Sequence, residues 1–180
     1  AHHLEMFIFS KTKQKPLAQK DWLKDAVIYQ LFVGRSARAS IGDHRGQVFE
    51  RLASFDWRRL VEECRFNAIY LLGVLDNRSP IVVTEELGER LDERRADRVP
   101  SPFAISNHQA LNPDLGQPKS FSALLAAIRG AGAKVIVDYV ANHTAINHPW
   151  VTEHRDYYVQ DRRSPDGLKH EFSGDVIKLN

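Results

Sequence analysis

Asp138, Asn142 and His143 stand close together directly after the apolar run Val135-Ile136-Val137. A charged aspartate at the end of such a run is costly if it is unpaired, so Asp138 needs a partner. The plain reading is a structural carboxylate held by an arginine or by a loop amide. His143 taken alone is equally a structural ring. His143, His148 and His154 together would offer imidazole nitrogens to a metal, but their loop positions and irregular spacing argue against a metal cluster. Cys64, the sole cysteine, can form neither an internal disulfide nor a thiolate cage, which fits a reducing, cytoplasmic setting. Asn142-His143-Thr144 has the pattern of a glycosylation sequon, yet nothing beside it marks a secreted chain. No phosphate-cradling glycine motif and no serine or cysteine elbow is present.

The elements that must position these residues alternate. Ala26 to Val33 is a nearly continuous apolar and β-branched run, the mark of a strand buried on both faces. Gly34 to Gly46 is polar and glycine-punctuated, hence a loop. Trp57, Leu60, Val61 and Cys64 then recur at helical spacing behind a cap at Asp56. Ala68 to Leu72 is a second short apolar run that ends at Gly73. Val74 to Gly116 is irregular, with four prolines and a mixed charge cluster from Glu85 to Arg98, most simply a solvated loop. Phe121, Leu124, Leu125 and Ile128 repeat the helical spacing behind a candidate cap at Ser120, with Gly130 and Gly132 as the stop. The third apolar run lies in Lys134 to Val140, interrupted at Asp138. From Ala141 to Asn180 no periodicity stands out, only Trp150, Tyr157, Tyr158 and Phe172 among polar residues. Strand, helix, strand, helix, strand argues for an α/β fold with parallel strands. Both long loops follow presumed parallel strands, at the carboxyl edge where such folds keep their sites.

Composition narrows the function classes. Of the 180 residues 43% are hydrophobic and 27% charged, as in a globular chain. Lys plus Arg (25) and Asp plus Glu (23) nearly cancel to +2, which gives no reason to expect a nucleic-acid partner. No run of about 18 apolar residues exists, so no membrane span is expected. Residues 1–5 read as a tag remnant and residues 6–21 as a basic extension. Residues 22–144 then form the α/β body, and residues 145–180 a long loop or small domain.

Four stretches in order resemble the alpha-amylase family of glycoside hydrolases. They are Ala26-Val-Ile-Tyr-Gln-Leu-Phe-Val33, Asn67-Ala-Ile-Tyr-Leu-Leu-Gly73, Ser101-Pro-Phe-Ala-Ile-Ser-Asn107 continuing to Leu111-Asn-Pro-Asp-Leu-Gly116, and Val135-Ile-Val-Asp-Tyr-Val-Ala-Asn-His-Thr144. The resemblance implies about three β/α units at the N-terminal side of a TIM-type (β/α)8 barrel, plus the start of the long loop after strand 3. It implies that Asp138 organises the floor of a sugar site and that His143 hydrogen-bonds the sugar. Phe103 stands where the family commonly has a tyrosine stacking on that sugar; the alternative is a loop aromatic plugging the core edge. For Asn142 it suggests a calcium ligand or a loop-fixing side chain. Val176-Ile-Lys-Leu-Asn180 resembles a further signature of the neopullulanase and cyclomaltodextrinase type. Lys178 there takes the place of the calcium-holding aspartate of typical alpha-amylases, which argues against a tight calcium site. Gly34 also departs from the acidic residue often found before the arginine, here Arg35.

The family's two catalytic acids and its third acidic residue lie on strands four, five and seven, which the chain does not reach. The expectation is therefore an enzyme acting on α-glucosidic bonds of an α-glucan or maltooligosaccharide, by hydrolysis or transglycosylation. It would be present as an N-terminal portion without catalytic residues and inactive alone. A full barrel takes about 250 residues. Three strands leave an open sheet, so a complementary chain or self-association is expected to cover it. The alternative is a non-catalytic amylase-like binding or assembly module.

Overall fold

The computed structural model of the chain describes residues 21–34, 46–79, 101–171 and 176–180. The N-terminal extension, Arg35, the Glu85 to Arg98 cluster and Phe172 lie outside them.

Residues 28–137 contain a parallel sheet of three strands. Strand β1 (Ile28–Phe32) runs beside β2 (Ala68–Leu72), with Ile28 opposite Ala68 and Phe32 opposite Leu72. Strand β5 (Lys134–Val137) flanks β2 on its other side, with Leu71 opposite Val137. The parallel alternation expected from the apolar runs is what forms. Burial on both faces holds only for central β2, whose residues are buried at every position but Tyr70. Strands β1 and β5 sit at the sheet edges, and Ile28 (44%) and Val137 (41%) are exposed, with no further strand against them among the described residues.

Helices α1 (Val48–Ala53) and α2 (Trp57–Cys64) connect β1 to β2. The Asp56 side chain accepts from the Arg59 N–H at 3.2 Å, so the expected cap forms. Helix α3 (Pro118–Gly130) leads into β5 and packs on α1 and α2. Its start corrects the cap expected at Ser120. Gln117 is the N-cap, and Pro118 opens the helix because a first-turn N–H has no partner to lose. Ser120 is a buried residue of the first turn, and its hydroxyl donates to Glu50 Oε1 on α1 at 2.8 Å.

Alternate residues of the sheet face these helices. Leu31, Ile69 and Leu71 pack with Phe49, Trp57, Phe121, Leu124 and Ile128 into the main core. The Phe49 and Phe121 rings meet at 5.0 Å between centroids. Each fully buried large side chain contributes about 1.5–3 kcal/mol. The opposite face carries Gln30, Phe32, Tyr70 and Leu72, and no helix covers it among the described residues.

Two stretches that lack periodicity contain short strands. Strand β3 (Leu75–Asp76) pairs antiparallel with β4 (Asn107–Leu111). Strand β6 (His143–Ala145), β7 (His170–Glu171) and β8 (Val176–Lys178) form an antiparallel sheet in the order β6-β8-β7. Tyr158, Leu168 and Ile177 are its small core. Helix α4 (Trp150–Glu153) lies between β6 and β7 in the chain.

Candidate functional site

Gly73 and Asp138 are the first residues beyond β2 and β5, at the C-terminal ends of parallel strands. Gly73 bends the chain with φ +72, a left-handed conformation that suits glycine. Its N–H leaves the ladder and donates to Asp138 Oδ1 at 3.1 Å. The carboxylate thus has the partner its position demanded, and of the two alternatives, an arginine or a loop amide, it is the amide. Asp138 is half-buried, and burial pushes its carboxyl above the ordinary aspartate range; the Gly73 N–H and its own N–H work against that rise. Tyr70 lies on the same sheet face as Asp138. Burial first, and the Asp138 charge second, hold its phenol above its usual value.

The loop carrying Phe103 lies over the same strand end. A Cβ on Gly73 would stand 2.8 Å from Pro102 Cβ, so Pro102 caps the turn. Ala104 and Ile105 are buried, whereas the Phe103 ring is 40% exposed. The Ala145 N–H donates to the Ile105 carbonyl at 2.9 Å, which ties β6 to this loop.

His143 opens β6 and is buried. An amide nitrogen can only donate, so Asn142 Nδ2, 3.0 Å from His143 Nδ1, places the imidazole proton on Nε2. Asn142 is itself held on every side. Its Nδ2 also donates to Glu171 Oε2 at 3.2 Å, its Oδ1 accepts from the Lys178 ammonium, and its carbonyl accepts from the Leu179 N–H at 3.0 Å. Lys178 Nζ lies 3.9 Å from Glu171 Oε2. The orientation of His143 therefore depends on a cation and an anion brought from β8 and β7.

These contacts also bear on calcium, which wants six to eight oxygen ligands. The Asn142 oxygen already faces an ammonium, and a second cation there would meet like charge. The residues present do not fit a calcium ion. Among the described residues no group of three His, Cys, Asp or Glu side chains could hold a metal.

His143, His148 and His154 occupy separate settings. His148 Nε2 lies 3.2 Å from Nδ1 of His108, and His154 stacks on Tyr157 at 4.7 Å. His108 carried no signal in the sequence, because its partner is 40 positions away. The sequon threonine, Thr144, is fully buried, with its hydroxyl 2.8 Å from the Tyr158 hydroxyl. A concavity lined by Trp22, Arg129, Gly132, Ala133, Lys134 and Val135 lies at the N-terminal end of β5, away from Asp138.

A family model of the alpha amylase catalytic domain matches residues 35–180. The probable oligo-1,6-glucosidase 2 of Bacillus subtilis is 28% identical over 146 residues, covering 77% of this chain and 22% of that protein. The glucan 1,6-alpha-glucosidase of Streptococcus dysgalactiae subsp. equisimilis is 29% identical over 170 residues, covering 90% and 27%. The crystal structure of the maltogenic alpha-amylase AmyB of Thermotoga neapolitana superposes with a TM-score of 0.65 at 22% identity, covering 88% of this chain and 32% of that one. The chain thus spans about a quarter of the length of these curated relatives. Its three parallel strands and the helical connections between them correspond to the start of a TIM-type barrel, and Asp138 stands at the strand end where that fold gathers its chemistry. The match of that family model over four-fifths of the sequence makes this chain a member of the alpha-amylase family.

Proposed function

We propose that the chain supplies part of a sugar site in a protein that cleaves or transfers α-glucosidic bonds of α-glucans or maltooligosaccharides. Phe103, Asp138 and His143 are the substrate-binding residues, and Asn142 fixes the loop. The observation that carries this reading is the gathering of the Phe103 loop, Asp138 and His143 around one end of the parallel sheet through the Gly73–Asp138 and Ala145–Ile105 hydrogen bonds. An aromatic face left exposed there is suited to stack on a pyranose ring. The His143 Nε2–H is a donor for a sugar hydroxyl, and the Asp138 carboxylate shapes the floor between them.

The chemical step is assigned to residues outside the chain. A retaining glycosidase needs two carboxyl groups about 5–5.5 Å apart. Strands β1, β2 and β5 contain no carboxylate within their spans, and Asp138 is engaged by Gly73. The exposed edges at Val27, Ile28 and Val137 support the partner part of the reading, in which a complementary chain or a second copy covers the sheet. A cytoplasmic setting belongs to the same proposal and rests on the single cysteine.

Titrating the protein with maltotriose tests this. Amide resonances of Phe103, Asp138 and His143 are expected to shift together, and the chain alone is expected to leave maltooligosaccharides uncleaved. A response confined to other residues, or none at saturating sugar, overturns the binding assignment. Turnover by the native chain that His143→Ala abolishes, so that no contaminating enzyme accounts for it, overturns the assignment of catalysis elsewhere.

A further inference from the structure

We propose that His108 and His148 are a positioning pair: two uncharged imidazoles in one fixed proton order, which hold the Val140 carbonyl and so set the connection carrying Asp138, Asn142 and His143. The sugar-site reading treats that connection as given, and neither ring belongs to the substrate-binding set.

The proton order follows from the two ends. A backbone N–H can only donate, so His148 Nδ1 accepts from the Trp150 N–H at 3.2 Å and carries no proton. Uncharged His148 then has its proton on Nε2, 3.2 Å from His108 Nδ1. At the other end a carbonyl can only accept, so His108 Nε2 donates to Val140 O at 3.0 Å. That leaves His108 Nδ1 free to accept from His148. Both ends demand the same order, and no other arrangement of two neutral rings satisfies all three contacts. A proton added to His148 Nδ1 would point at the Trp150 N–H. One added to His108 Nδ1 would point at the His148 N–H. Either breaks a link.

The surroundings favour the uncharged forms. His108 and His148 are 4% and 5% exposed. Tyr139, on the connection itself, packs against His108 at 5.3 Å. Trp150 of α4 stacks on His108 with an interplanar angle of 12° and lies 4.5 Å from His148. Behind Trp150 stands Tyr157, and on Tyr157 stacks His154. Burial lowers both imidazole pKa values. For His148 the His108 ring adds to burial and the value falls to about 4, whereas for His108 the Val140 carbonyl opposes the fall. The folded pair stays uncharged where unfolded histidines, near 6.5, take up protons. This corner therefore has its full stability above about pH 6.5 and loses it as pH falls toward 4.

Long-range proton–nitrogen spectra of the histidine-labelled protein test the proposal directly. Both rings are expected as Nε2–H tautomers, with titration midpoints below 6.5 and that of His148 near 4. An Nδ1–H tautomer in either ring, or a midpoint near 6.5, overturns it, and this measurement needs no variant. His108→Gln keeps a donor near the lost Nε2, and the amides of residues 139–143 are expected to stay close to their native positions. His108→Leu fills the space without a donor and is expected to move them. Equal shifts in both variants, or in neither, also overturn the proposal. The consequence for sugar rests on the reading above: His108→Leu weakens maltotriose binding by about tenfold or more, and His108→Gln restores it. If tautomers and rescue come out as stated while the native protein ignores maltotriose, the sugar reading fails and the positioning pair stands.

Discussion

The Gly73 N–H and the Asp138 carboxylate, 65 positions apart in sequence, close the C-terminal ends of β2 and β5 with one hydrogen bond of 3.1 Å. Register makes the meeting unavoidable. Leu71 lies opposite Val137, so the next pleats bring Leu72 and Asp138 level, and the turn at Gly73 aims its N–H across. The bond joins the local geometry of a glycine turn to the placement of the Asp138 carboxylate at the strand end.

Gly73→Ala is expected to cost about 2–3 kcal/mol, combining a left-handed backbone with a methyl driven into Pro102. Urea denaturation of the two proteins measures it. A loss below about 0.5 kcal/mol would show that the Pro102 loop yields freely.

Asp138→Asn separates charge from hydrogen bonding. The amide oxygen still accepts from Gly73, and the desolvated charge is gone. Because folding raises the Asp138 pKa, the folded state holds that proton more tightly. Its stability therefore falls as pH rises from the ordinary aspartate value of 3.8 through the raised one. Asp138→Asn should abolish that fall and be at least as stable as the native protein at pH 7. Asp138→Ala, which strands the Gly73 N–H, should lose about 1–3 kcal/mol. A native pH profile that Asp138→Asn leaves untouched would refute the link.

The Lys178 ammonium on Asn142 predicts indifference to chelators. Adding EDTA should leave the thermal midpoint unchanged, whereas Lys178→Met should cost about 1–2 kcal/mol by removing a charged donor from the Asn142 oxygen. A midpoint that drops on chelation and recovers with calcium would restore the metal reading of Asn142.

Thr144 and Tyr158 share a buried hydroxyl pair at 2.8 Å. Thr144→Val and Tyr158→Phe should each destabilise by about 1 kcal/mol or more, and the double variant by less than their sum. Strict additivity in that thermodynamic cycle would mean that the hydroxyls do not pair.

Much of the architecture was legible along the chain. Three apolar runs and two amphipathic stripes specify parallel strands with helices between them, because an unbroken apolar run and an apolar residue every three to four positions are both local signals. Asp56 as a cap and Asp138 as a carboxylate in need of a partner were also readable, since each follows from its immediate neighbours. The helix start at Pro118 escaped because Ser120 is a good cap by type, yet Glu50 on another helix claims its hydroxyl. Strands β3, β6, β7 and β8 escaped because two or three residues are too few to show a period.

The sequence by itself determined the α/β class, the family resemblance and the cluster of Asp138, Asn142 and His143 after one strand. Tertiary structure alone decided what each of them touches. Gly73, Lys178 and Glu171 come to the site from other strands or their ends, and His108 finds His148 across 40 positions. Hydrogen bonds between residues so far apart depend on strand register and loop closure, which no local pattern of residue types encodes. Edge exposure has the same origin: Ile28 and Val137 read as core residues from their type, and only the strand order places them at the edges of the described sheet.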